Sequence, residues 1–141
     1  MTSRSPEETF KYGKEYAARL KAGDIVFLQG DLGTGKTQFV KGICYFYNVK
    51  ENVNSPTFII VNEYTTEHHS EVSKIFHFDL YRLKKAEELK EIGLNEYFRN
   101  DSICLIEWPE ILMSELNISG QTIKFSHGSG QSDREIEILK N

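Results

Sequence analysis

A mostly apolar run, "IVFLQ" from Ile25 to Gln29, passes without a break into "GDLGTGKT", Gly30 to Thr37. The first stretch has the length and the branched residues of a buried strand. After the glycines, Phe39, Val40, Ile43, Cys44 and Tyr47 recur on one stripe of a helix. A strand that hands over to a helix through a glycine-rich turn belongs to the α/β class, in which helices cover a largely parallel sheet. Gly30, Gly35, Lys36 and Thr37 also fit G-x-x-x-x-G-K-[ST], the P-loop pattern, in the strand, turn and helix context that it requires.

Each residue type in that turn has a physical reason to be there. Glycine opens backbone angles closed to other residues and leaves no Cβ between the chain and an anion, so successive N–H groups can face phosphate oxygens. The helix that follows aims its positive end at the same place. Lys36 adds a point charge for the β- and γ-phosphates, and the Thr37 hydroxyl is a hard ligand for Mg²⁺. The competing reading is a turn that only caps a helix, but the full motif with its flanks is far rarer than such a turn. Asp31, Leu32, Gly33, Thr34, Gly35, Lys36, Thr37 and Gln38 are therefore expected to surround a nucleotide. The Asn-Lys-x-Asp tetrapeptide that reads guanine is absent from the sequence, which favours ATP.

A hydrolytic site needs carboxylates to hold Mg²⁺ or its waters and to orient a nucleophile. Glu107 ends the apolar strand "ICLIE", and Asp79 ends "KIFHFD" in the same way. Parallel sheets present site residues beyond such carboxyl ends; the alternative for each is a strand end at the surface. In "HFDLYR", His77, Asp79 and Tyr81 share one face of a strand and Phe78 and Leu80 the other. That alternation fits either a site or an ordinary amphipathic strand, and Arg82 either pairs with a carboxylate or reaches a phosphate. In "NSPTF", Thr57 either senses the γ-phosphate and Mg²⁺ as switch loops do or completes a proline-initiated turn.

The remaining text bounds the architecture. "SPEE" from Ser5 to Glu8 reads as a capping box, and Phe10, Gly13, Ala17 and Leu20 carry a first helix to about Ala22-Gly23. The runs "PTFIIVNEY" and "KIFHFDLYR", with a polar stretch from Thr65 to Ser73 between them, suggest a hairpin or two neighbouring strands. "KKAEELKEIGL" reads as a charged amphipathic helix, "PEILMSEL" as a helix start, and "QTIKFS" with "REIEIL" as a closing antiparallel pair. The expected fold is a single P-loop NTPase-like α/β domain over residues 1–141, with a central partly parallel sheet, antiparallel additions and flanking helices. Cys44 and Cys104 lie far apart in apolar segments and read as reduced core residues; His68 and His69 read as solvated loop residues. With 17 Lys+Arg against 21 Asp+Glu and a net charge of −4, and with no basic cluster, direct sequence-specific nucleic-acid binding is not expected. No apolar run approaches the roughly 20 residues of a membrane span, and the first ten residues hold no apolar leader core. A cytoplasmic protein without membrane contact is the expectation.

"GDLGTGKT", "NSPTF", "HFDLYR" and "LIEWPE", in this order and spacing, resemble the TsaE family of P-loop ATPases over most of the chain. The resemblance implies an accessory role in making N6-threonylcarbamoyladenosine in bacterial tRNA. It implies an ATPase that acts on a TsaB–TsaD complex and resets it between turnovers, with tRNA met only indirectly. By matching position, Lys36 and Thr37 would bind phosphate and Mg²⁺, Thr57 would belong to a switch-I-like loop, Asp79 and Glu107 would serve metal and water, and Trp108 would lie near the nucleotide. Two other readings compete: a small-molecule P-loop kinase, for which the chain lacks an obvious arginine-bearing lid, and a nucleotide-gated interaction module without significant turnover.

Overall fold

The computed structural model describes residues 1–56 and 60–139. Within them run strands β1 (Thr2–Ser3), β2 (Ile25–Gln29), β3 (Val61–Thr65), β4 (Lys74–Asp79), β5 (Ser102–Glu107), β6 (Gln121–His127) and β7 (Arg134–Leu139). The helices are α1 (Pro6–Ala17), α2 (Lys36–Phe46), α3 (Glu87–Ile92) and α4 (Glu110–Glu115), with a 3-10 turn over Leu94–Tyr97. The strands form one sheet in the order β1-β7-β6-β2-β5-β4-β3. Its centre is parallel, β6 with β2, β2 with β5 and β5 with β4. Antiparallel strands extend both edges, β3 on β4 and then β7 on β6 with β1 beyond. The α/β class, the partly parallel sheet and its antiparallel additions are as the sequence pattern predicts.

Alternation along the central strands divides the core into two layers. Val26, Leu28, Ile75, Ile103 and Leu105 face α1 and α2, while Phe27, Phe76, Phe78, Cys104 and Ile106 face Leu89 of α3 and Leu112 of α4. Both surfaces of β5 are covered, and all six of its residues are buried, the behaviour of a central parallel strand. Cys44 and Cys104 are buried free thiols, pushed up to about 12 mainly by that burial, so both behave as core residues.

α1 and α2 touch through their backbones. A Cβ on Gly13 would stand 2.1 Å from the carbonyl oxygen of Phe39, and one on Gly42 would stand 2.1 Å from that of Phe10. The glycine on the α1 stripe is thus a contact point with α2.

Some local expectations need correction. The Ser5 hydroxyl accepts from the Glu8 amide at 3.1 Å as a cap should, but the Glu8 carboxylate accepts from the Arg4 amide at 3.1 Å. α1 stops at Ala17 rather than near Ala22-Gly23. Leu20 is buried on a turn closed by the Leu20 amide donating to the Ala17 carbonyl at 3.1 Å, so its spacing mimics one more helical turn. The charged helix shrinks to α3, because Gly93 takes a left-handed conformation and ends it. His69 is half-buried, with its ring 4.6 Å from that of Tyr47 and so packed on one side, whereas His68 is exposed. β1 has no signal of its own; β7 recruits it, and the terminal ammonium of Met1 donates to the Ile136 carbonyl at 2.7 Å.

Candidate functional site

The carboxyl ends of β2, β4 and β5 converge beside the start of α2. Gly30 leaves β2 where an added Cβ would lie 2.6 Å from the Phe125 carbonyl oxygen of β6, so only glycine lets the turn begin that close to the sheet. Gly35 caps α2 in the left-handed region, φ 100°. Between them the Thr34 hydroxyl, buried, donates to the Asp31 carbonyl at 2.7 Å and closes the loop on itself. Asp31 and Thr34 are tied to each other within the loop, and Leu32, Gly33, Gly35, Lys36, Thr37 and Gln38 line a cavity of about 400 Å³.

Asp79, Glu107 and Trp108 line the same cavity. β4 and β5 run parallel with Asp79 opposite Glu107, so two strand ends separated in sequence deliver adjacent carboxylates to one place. Burial raises the Asp79 pKa above the usual carboxylate value, opposed by the Tyr81 amide that donates to Oδ1 at 2.9 Å. Burial likewise pushes Lys36 below the ordinary lysine value, opposed by the charges of Glu107 and Asp79. The Lys36 ammonium donates to the Gly30 carbonyl and lies 3.9 Å from the centroid of the Trp108 ring. Trp108 reaches it from a left-handed backbone conformation, φ 54°, and its ring also meets Tyr81 at 4.8 Å. A bulky residue rarely accepts that conformation, and such strain collects at functional sites.

A hydrogen-bonded chain leads inward from Thr37. Its hydroxyl pairs with that of Ser55 at 2.7 Å, and Ser55 donates to Glu107 Oε2 at 3.4 Å. With the single Ser55 proton directed at the carboxylate, Thr37 is the donor to Ser55. His77, fully buried, holds Glu107 Oε2 from Nε2 at 2.5 Å, and its Nδ1 faces the Tyr64 hydroxyl at 3.2 Å. The polar face of β4 is therefore part of a buried network, although Tyr81 itself is exposed. Thr57 lies outside the described residues.

The donor set around Thr37, Asp79 and Glu107 is hydroxyl and carboxylate oxygen, which suits Mg²⁺. Among the described residues no group of three or more His, Cys, Asp or Glu is placed to cage a metal. Mg²⁺ in phosphate sites needs no such cage, since phosphate oxygens and water complete its shell.

Sequence reasoning missed the opposite wall. Ser5, Pro6 and Thr9 from the start of α1, with Ser132 and Arg134 from the last strand pair, line the cavity. Arg134 Nε donates to the Gly33 carbonyl at 2.8 Å and braces the loop. Isolated residues near both chain ends carry no local motif that could announce this. Among the described residues, no helix is long and apolar enough to cross a membrane.

The chain is similar to known proteins over most of its length. The family model "Threonylcarbamoyl adenosine biosynthesis protein TsaE" matches residues 3–136. The tRNA threonylcarbamoyladenosine biosynthesis protein TsaE of Bacillus subtilis is 39% identical over 132 residues, 94% of this chain and 79% of that protein. The protein of the same name from Rickettsia bellii is 46% identical over 109 residues, 77% of this chain and 72% of that one. The crystal structure of Bacillus subtilis YdiB superposes with a TM-score of 0.77 at 33% identity, covering 98% of this chain and 82% of that one. The chain belongs to the TsaE family of P-loop nucleotide-binding proteins.

Proposed function

We propose that this protein, as one domain over residues 1–141, binds ATP with Mg²⁺, hydrolyses it, and thereby serves a TsaB–TsaD complex in forming N6-threonylcarbamoyladenosine on tRNA. A cytoplasmic location, with tRNA met only through the complex, belongs to the same proposal. The observation that carries it is the meeting of a glycine-rich anion cradle, Lys36 and Thr37 with two strand-end carboxylates in one cavity. The family name supports the pathway.

In this reading the amides from Gly33 to Thr37, with the positive end of α2, hold the phosphates. Lys36 leaves the Gly30 carbonyl to pair with the β- and γ-phosphates, and the Trp108 ring covers it. Thr37 and Glu107, with Asp79, hold Mg²⁺ or its waters. When bound, the cation neutralises charge on the transferred phosphoryl group. Asp79 and Glu107 also orient the attacking water, and the half-buried setting that raises the Asp79 pKa limits competing solvent.

A second reading, a nucleotide-gated interaction module, is favoured by the Thr37–Ser55 bond, since a ligand that takes the Thr37 hydroxyl must change what Ser55 holds. One experiment tests both. ATP hydrolysis and complex formation are measured with Mg²⁺, alone and with TsaB–TsaD and tRNA, for wild type and Glu107→Gln. The proposal predicts turnover that the partners raise and Glu107→Gln abolishes. ATP-dependent assembly that survives in the variant while wild type shows no turnover favours the gated module, and phosphate delivered to an acceptor other than water indicates a kinase.

A further inference from the structure

Glu107 needs a carboxylate held still, yet the cavity itself holds it loosely, through the 3.4 Å contact from Ser55. The close contact comes from behind, from His77 at 2.5 Å. We propose that His77 is a positioning residue for Glu107, fixing one carboxylate oxygen so that the other faces the nucleotide cavity, and tying that carboxylate through Tyr64 to the Asn54–Ser55 segment. The inference rests on the Mg²⁺-nucleotide reading above.

Strand geometry makes His77 a second layer rather than a site wall. It lies two residues before Asp79 on the same face of β4, opposite Leu105 in the register, one step deeper than the Asp79 and Glu107 pair. It has no exposed surface and does not line the cavity, so any effect on a ligand passes through the residues it holds, Glu107 first. Both ring nitrogens are engaged, Nε2 donating to Glu107 Oε2 and Nδ1 meeting the Tyr64 hydroxyl. Among the described residues, both contacts to the Glu107 carboxylate fall on Oε2. Terminal carboxylate torsions are broad and cheap to turn. A ring clamped at both ends removes that freedom, as outer partners do for metal-site ligands generally.

Tyr64 carries the connection onward. Its oxygen lies 3.3 Å from the Asn54 carbonyl, which also accepts from Asn62 Nδ2 at 2.9 Å. The next residue, Ser55, is bonded to Thr37 and to Glu107. One buried ring therefore shares its partners with the loop that meets the proposed cation ligands.

The test uses the full chain and Trp108 fluorescence, titrating ADP without metal and then Mg²⁺ at fixed ADP, beside ATP turnover. His77→Ala is expected to raise the Mg²⁺ concentration at half-saturation about 10-fold or more and to lower turnover by a similar factor, with metal-free ADP affinity within about 2-fold of wild type. His77→Gln, whose amide can donate where Nε2 does, recovers most of both, and Tyr64→Phe shows a smaller shift in the same direction. Half-saturation in His77→Ala within about 2-fold of wild type overturns the inference. So does an equal loss of metal-free ADP affinity, the mark of general damage to the fold. If His77→Ala does not fold, Tyr64→Phe decides: a weakened Mg²⁺ response supports the role and an unchanged one overturns it. A wild type that binds neither ADP nor ATP with Mg²⁺ by calorimetry overturns the nucleotide reading itself, and this inference with it.

Discussion

The Lys36 ammonium lies 3.9 Å from the centroid of the Trp108 ring, and Trp108 is held there in a left-handed backbone conformation. The cation of the glycine-rich loop and the indole at the end of β5 thus form one unit, although the chain between them builds three strands. A cation over an indole face is stabilised by about 0.5 to 2 kcal/mol, so moving Lys36 toward phosphate changes the surroundings of the ring. Trp108 is the sole tryptophan of the sequence. Its emission is therefore expected to change on adding ADP or ATP, and a flat titration with binding confirmed by calorimetry would show that Lys36 stays where it is.

Lys36→Ala removes a charge-assisted contact of about 1.5 to 3 kcal/mol. Affinity for ATP is expected to fall by roughly 10- to 150-fold, measured by calorimetry on a variant whose circular dichroism matches wild type. Unchanged affinity would separate this lysine from the phosphates.

Burial lowers the Lys36 pKa, so in the free protein this group loses its proton at a lower pH than an ordinary lysine. Loss of the proton removes the attraction for phosphate, and metal-free ADP affinity should decline with rising pH before an exposed lysine would titrate. Lys36→Arg, which stays charged throughout that range, should show no such decline. Parallel pH profiles for the two proteins would contradict the assignment.

At Gly42 an added methyl group meets the Phe10 carbonyl oxygen at 2.1 Å and the Lys14 nitrogen at 2.8 Å. Neither backbone atom can move without parting α1 from α2. Gly42→Ala is expected to cost about 2 to 3 kcal/mol, or roughly 5 to 10 °C in Tm for a chain of this size. Thermal unfolding followed by circular dichroism checks it, and an unchanged Tm would contradict the backbone contact.

What the sequence made legible was local. The strand, glycine turn and helix of the P-loop, and the carboxylates ending β4 and β5, each occupy one short window with its own periodicity. That Asp79 and Glu107 become neighbours depends on strand order, which periodicity cannot supply. His77 stood on a polar face of β4 in the sequence, but alternation cannot say whether such a face meets water or a buried carboxylate. Arg134 and Thr9 come from opposite ends of the chain and reach the loop only after the sheet closes. Leu20 misled in the other direction: its spacing continued α1, while its burial comes from a turn.

Backbone amides at the start of α2 gripping the phosphates of an adenine nucleotide are the central claim, and amide NMR reads them directly. On titrating ATP with Mg²⁺, the largest chemical-shift changes are predicted at the amides of Gly33, Gly35, Lys36 and Thr37, with the Trp108 indole moving in step. Saturable binding that leaves those amides unshifted, with its largest changes away from the cavity they line, would contradict the account.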